Sequence, residues 1–121
     1  MERTEKLYPI GEIPPIGVVP KKMYAWTIRT ERLGTPESAF KVEIVDVPEV
    51  RDDDILICNM AVGVNYNGVW ASLGKPKNVI NDNGNYGDIH RGFHICGSES
   101  GGIVYAVGKN VTKFKVGDKV I

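Results

Sequence analysis

Apolar side chains in this chain recur at every second residue and are cut off by glycine or proline before a helical spacing can establish itself, so most of it can only be strand and turn. Tyr24, Trp26 and Ile28 share one parity, and Phe40, Val42 and Ile44 repeat it after a turn region at Gly34-Thr35-Pro36. We expect two strands with those rows as their apolar faces. Pro48 ends the second, Arg51 to Asp54 is a charged turn, and Ile55 to Val62 is an apolar run that reads as a buried strand. Asn67 to Leu73 suits one or two helical turns, whereas Lys75 to Gly92 is polar, rich in Gly and Asn, and reads as an irregular loop. Gly101 to Gly108 is a short strand bounded by glycines, and Val111, Phe114, Val116 and Val120 alternate around a Gly117-Asp118 turn. The expected fold is mainly β, a barrel with short helical turns.

Residues 1–22 behave differently. Pro9, Pro14, Pro15 and Pro20 deny this stretch both helix and central strand, because each lacks an N–H and fixes φ. Leu7, Ile10, Ile13, Ile16, Val18 and Val19 are too many apolar side chains for a solvated tail. We expect an ordered arm, residues 1–22, lying across the domain of residues 23–121 or across a neighbouring subunit. At the other end Lys119-Val120-Ile121 is apolar and uncapped, which reads as an interior strand of a longer polypeptide.

Fifteen basic and fifteen acidic residues cancel, and no block of like charge exceeds Asp52-Asp53-Asp54, so nucleic acid is not an expected partner. No apolar run approaches the ~20 residues a membrane span needs, and Met1 to Lys6 lacks the apolar stretch of a secretory signal. Those absences predict a cytoplasmic protein with no membrane partner. Cys58 and Cys96, both in or beside apolar segments, read as buried reduced thiols.

Three clusters carry candidate chemistry. Gly97-Ser-Glu-Ser-Gly-Gly102 invites comparison with a phosphate cradle, but β-branched Ile103 and Val104 follow it instead of a helix N-terminus, and the spacing is not Gly-x-Gly-x-x-Gly. Glycines that let two strands approach closely are the better reading, and Ser98 has no nucleophile motif around it. His90, His94 and Cys96 are zinc-competent in chemistry, yet no fourth ligand stands nearby. In Gly63-Val-Asn-Tyr-Asn-Gly-Val-Trp70 two amides flank a phenol: Asn65 and Asn67 can hold a carbonyl or carboxylate and Tyr66 can donate a proton or hydrogen bond, while a local turn explains the same residues.

The closing stretch, Gly97-x-Glu99-x-x-Gly102-x-Val104, then Val107-Gly108, then Val111-x-x-Phe114-x-Val116-Gly-Asp-x-Val120, resembles the GroES-like catalytic domain of the medium-chain dehydrogenase/reductase superfamily. Gly11 to Trp26 and Ala61 to Trp70 resemble crotonyl-CoA carboxylase/reductases in particular. The resemblance implies a partly open GroES-like β-barrel forming the N-terminal part of a two-domain enzyme. The implied reaction is reductive carboxylation: hydride from NADPH attacks the β-carbon of crotonyl-CoA or a related enoyl-CoA, and the enolate captures CO2 to give ethylmalonyl-CoA. It also implies that Asn65, Tyr66 and Asn67 lie in the active site, with one asparagine helping to hold CO2.

By the same resemblance, zinc-dependent relatives carry Cys where this chain has Asn65 and His where it has Ser98, so no zinc is expected, and Glu99 takes a structural or supporting role. Many carboxylating relatives have Asp where this chain has Glu99. The nucleotide-binding turn and most CoA contacts are implied to lie in a Rossmann domain outside these residues, on the same polypeptide or on a complementary chain, with a homo-oligomer when complete. Two other readings stand beside this one: a non-carboxylating enoyl-CoA reductase, and a non-catalytic assembly module docking through the proline-rich arm.

Overall fold

The computed structural model describes residues 1–81 and 92–121. Among them six strands run in the order β1 (Lys22–Arg29), β2 (Lys41–Asp46), β3 (Ile55–Val62), β4 (Phe93–Ile95), β5 (Ser100–Val107) and β6 (Lys119–Val120). The helices are short: α1 (Pro36–Ala39), α2 (Asn67–Leu73) and two single 3-10 turns at Thr30–Arg32 and Val79–Asn81. The strands form two three-stranded sheets, β2-β1-β4 and β3-β5-β6, and neither closes on itself. The mainly β expectation holds, with sheets that stay open among the described residues. None of the described helices is long and apolar enough to cross a membrane.

The chain divides into two compact units. The first comprises Met1–Tyr24, Ile44–Val62 and Glu99–Ile121. Its core is Val19, Val47, Tyr105 and Ala106, with Met23, Val50, Leu56, Cys58 and Ile103 packed against it. The proline-rich arm is fastened within this unit. Thr4 donates its N–H to Val19 O (2.9 Å) and accepts the N–H of Lys21 (2.9 Å), and the Arg3 guanidinium donates to Val47 O and Pro48 O at 2.7 Å each. Proline can offer only a carbonyl, and that is what is used: Tyr105 Oη donates to Pro14 O at 2.6 Å.

In this unit β3 and β5 pair antiparallel, with register shifts at Leu56/Ile57 and Asn59/Ala61. The close-approach reading of the glycine cluster holds, since a Cβ on Gly102 would lie 2.3 Å from Cys58 O. Two expectations need correction here. The β3 strand is half-buried over Ile55–Cys58 and exposed over Asn59–Val62, since among the described residues it takes a neighbour in its sheet on one side only, β5. The turn at Gly117 and Asp118 is present, Gly117 N–H reaching Val104 O at 2.8 Å, but Val111 to Val116 forms no strand and only Lys119–Val120 pairs, with β5. Two N–H groups of that stretch are spent locally, Val111 on Gly108 O at 3.1 Å and Lys115 on Asp118 Oδ2 at 3.0 Å.

The second unit, Ala25–Glu43 and Gly63–Ser98, packs Ile28, Ala39 and Ile80, with Leu33, Phe40, Ala71, Val79 and Cys96 around them. The expected face of β1 is corrected: Tyr24 and Trp26 are exposed, and Thr27 and Ile28, on opposite faces, are both fully buried. The phase of β2 is reversed as well, with Ile44 51% exposed and Val45 5% exposed. The inward row includes Glu43, which a binary pattern assigns to solvent. It is held there by three donors: Thr27 Oγ1, Arg29 Nε at 3.1 Å and Arg32 Nη2 at 3.0 Å. The Arg29 guanidinium, followed by the Thr27 hydroxyl, pulls the Glu43 carboxyl down to about 2.

Candidate active site

Beyond Val62 the backbone leaves β3 and enters a tight turn that starts α2. Asn65 makes that turn. Its Oδ1 accepts the N–H of Asn67 at 3.0 Å and its own carbonyl accepts Gly68 N–H at 3.2 Å, so an asparagine side chain starts the bend that two backbone groups complete. Tyr66 caps α2, its carbonyl accepting the N–H groups of Val69 (3.0 Å) and Trp70 (3.2 Å). The α2 helix ends after seven residues where Gly74 takes φ +66°, a C-cap that glycine adopts without strain. Buried Ser72 ties it down by accepting Gly34 N–H on its carbonyl at 2.9 Å.

The one-or-two-turn helix expected over Asn67 to Leu73 is therefore present, and so is the local turn expected at Asn65. Tyr66 is 66% exposed, and its ring meets Trp70 edge-on, with centroids 5.7 Å apart at 81°. Asn65 and Asn67 are exposed as well.

The second wall of the site comes from far along the chain. Phe93–Ile95 pairs with β1, Cys96 packs beside Ile28 and Ile80, and Gly97, at φ +135°, turns the backbone into Ser98. There Ser98 Oγ accepts a hydrogen bond from Asn65 Nδ2 at 3.1 Å. The two positions at which the resemblance replaces zinc ligands thus meet. An amide and a hydroxyl bonded to each other form a neutral pair, poor in the thiolate or imidazole character that zinc selects.

The remaining candidates separate. His94 lies half-buried on β4 opposite Ile28, and burial lowers its pKa. Cys96 is a free, half-buried thiol pushed up to about 11 by desolvation, and Cys58 is likewise free, half-buried and raised. Both are less buried than expected. His90 lies outside the described residues, and among those described no three His, Cys, Asp or Glu side chains gather as a metal site. Gly97 to Gly102 leads from β4 into β5 and not into a helix, so these residues do not fit a dinucleotide pyrophosphate. The contact between Ser98 and Asn65 is what sequence reasoning missed, and its one signal was that the resemblance implies a zinc ligand of the zinc-dependent relatives at both positions.

Residues 51–121 match the alcohol dehydrogenase GroES-like domain family. A crotonyl-CoA carboxylase/reductase of Cereibacter sphaeroides is 49% identical over 116 residues, which are 95% of this chain and 25% of that protein. A crotonyl-CoA reductase of Streptomyces avermitilis is 34% identical over 93 residues, 71% of this chain and 21% of that one. Among solved structures, a crotonyl-CoA carboxylase/reductase variant in complex with NADP matches with a TM-score of 0.82 at 48% identity, covering 96% of this chain and 28% of the other. The chain spans about a quarter of the length of the relatives it matches.

Proposed function

Because the chain belongs to the alcohol dehydrogenase GroES-like domain family, we propose that it supplies part of the catalytic region of an enoyl-CoA carboxylase/reductase that works without zinc. In that reaction NADPH supplies a hydride to the β-carbon of crotonyl-CoA or a related enoyl-CoA, and the α-carbon of the resulting enolate bonds to CO2, or takes a proton where CO2 is absent. The observation that carries this reading is the Asn65 carboxamide, held at both ends by Asn67 N–H and Ser98 Oγ. CO2 has no net charge and must be oriented by aimed, weak hydrogen bonds beside a reactive carbanion, which a fixed amide donor can do. Asn65 takes that role. Asn67 contributes the backbone N–H that holds it, and Tyr66, braced on Trp70, offers a phenol donor on the same turn. NADPH is bound mainly by residues other than these, in keeping with a chain that spans a quarter of its relatives.

The test is the product ratio of the natural-length enzyme with NADPH, crotonyl-CoA and labelled bicarbonate, read by mass spectrometry. Asn65→Leu, close in size but unable to donate, is expected to lower the ratio of carboxylated to simply reduced product by at least about fivefold while NADPH oxidation continues. Asn67→Leu keeps the N–H and is expected to change the ratio less. A parental ratio in Asn65→Leu removes its role. A parent that never incorporates label leaves the second reading, a non-carboxylating enoyl-CoA reductase, which the likeness to a crotonyl-CoA reductase favours.

A further inference from the structure

The proline-rich arm contains a short tandem repeat. Pro9-Ile10-Gly11-Glu12-Ile13-Pro14 is followed directly by Pro15-Ile16-Gly17-Val18-Val19-Pro20, so a proline, an isoleucine, a glycine, an apolar residue after one intervening position, and a closing proline recur in the same order. The structure folds both copies alike. Glu12 N–H donates to Pro9 O at 3.0 Å and Val18 N–H to Pro15 O at 2.9 Å, with Gly11 at φ +90° and Gly17 at φ +85°. Each copy therefore opens on a type II turn, whose third residue must accept a positive φ and whose second stands at the corner. Polar residues, glycine and proline dominate such turns, yet both corners here are isoleucine, 73% exposed at Ile10 and 57% at Ile16.

The copies part company after the turn. Val19 is 1% exposed, packed with Val47, Tyr105 and Ala106, whereas its counterpart Ile13 is 57% exposed. The segment is nonetheless tied down. Tyr105 Oη holds Pro14 O at the junction of the two copies, Thr4 N–H holds Val19 O, and Lys6 Nζ meets Glu12 Oε1 at 2.7 Å, which neutralises the charge next to Ile13. Val116, also exposed, abuts Gly17, with Cγ1 3.5 Å from where a Cβ would stand. Three isoleucines and this valine are thus presented to solvent on an anchored backbone.

Projecting corners are the opposite of the concave cleft that encloses a small molecule, so the chemistry that fits them is an apolar stretch of polypeptide. Four side chains fall far short of the ~20–30 residues a side of a stable interface between separate proteins. A segment of the same polypeptide needs no such area, because tethering supplies its effective concentration. The residues matched here are 25% of the Cereibacter sphaeroides relative, which leaves three-quarters of such a polypeptide to provide that segment.

We propose that Ile10, Ile13 and Ile16 form a docking ridge for an apolar segment of the same polypeptide outside residues 1–121, which covers Ile13 as the core covers Val19. This rests on the reading of the chain as part of a longer enzyme, and not on the chemistry at Asn65. Intact mass of the natural product tests that reading by itself, and a mass of these residues alone overturns both. The natural-length enzyme then receives single Ile10→Cys, Ile13→Cys and Ile16→Cys substitutions, and alkylation by iodoacetamide is followed by peptide mass spectrometry, folded and in urea. Docking predicts rates at least ~tenfold slower in the folded enzyme at all three, and a smaller difference at position 13 overturns the proposal.

Where a cysteine itself dislodges the segment, hydroxyl-radical footprinting of the unsubstituted enzyme decides. Ile13 should be oxidised at least ~tenfold less than in the same peptide free in a digest, and a smaller difference refutes the docking. The occupant is identified by a diazirine amino acid at position 13 in enzyme co-assembled from light and heavy nitrogen-labelled polypeptides. Cross-links to residues outside 1–121 within one isotope support the proposal. Mixed-isotope pairs, which mean a second copy, or cross-links confined to residues 1–121, overturn it.

Discussion

Replacing Glu43 by Gln removes the one negative charge that faces Arg29 and Arg32 from the inner row of β2, with almost no change of volume. Folding takes this carboxyl from its ordinary 4.5 to about 2. At ~1.4 kcal/mol per pH unit that depression is worth at most ~3.5 kcal/mol, and because the side chain is 26% exposed, solvent screening brings the expected contribution to ~1–2 kcal/mol. The sign follows from the depression: the stabilisation is complete above pH 4.5, where the unfolded chain is ionised too, and is lost as pH falls toward 2 and the folded carboxyl takes up its proton.

Urea unfolding of the chain and of Glu43→Gln at a series of pH values from 7 to 2.5 measures this directly. The parent should exceed the variant by ~1–2 kcal/mol at pH 7, and the gap should close between pH 4.5 and 2.5. Taking the difference between the two proteins cancels other carboxylates held low, such as Asp54 beside Arg51 and Asp118 beside Lys115. A gap that persists unchanged to pH 2.5 would refute the reasoning, since the variant's deficit would then owe nothing to ionisation.

Other substitutions follow from single contacts. Gly102→Ala places a methyl 2.3 Å from Cys58 O and 2.6 Å from Ile57 Cγ2, so β3 and β5 must part locally, and a loss of ~2 kcal/mol or more in urea unfolding is expected. Tyr105→Phe deletes the 2.6 Å bond to Pro14 O at a cost of ~1 kcal/mol, and limited proteolysis should then cut within residues 1–22 sooner than in the parent. Cys96, with its thiol raised to about 11, should alkylate at pH 8 far more slowly than a cysteine in an unstructured peptide, and reactivity equal to the peptide's would contradict its packing against the Ile28 cluster.

Strand positions were readable because their signal is local: period-2 alternation and Gly or Pro breaks lie within a few residues of what they predict. The faces were not. Alternation says that one parity turns inward without saying which, and in β2 the choice depended on Glu43 meeting Thr27, Arg29 and Arg32, a partnership between segments 11 to 16 residues apart. The same limit split the site. Asn65, Tyr66 and Asn67 stood out as neighbours in sequence, whereas Ser98 joins them through a contact that no short window contains. Resemblance to a family could point at both positions, because it implies a metal ligand at each of them in the zinc-dependent relatives.

That contact has a further consequence for how the chain can change. Asn65 and Ser98 stand near the two ends of the excursion Gly63–Ser98, and their hydrogen bond clasps it at its base. The entropy of closing such a loop rises only with the logarithm of its length, so doubling the 33-residue separation adds only ~0.6 kcal/mol. The length of the excursion can therefore vary at an entropic cost below the ~1 kcal/mol that the hydrogen bond closing it contributes.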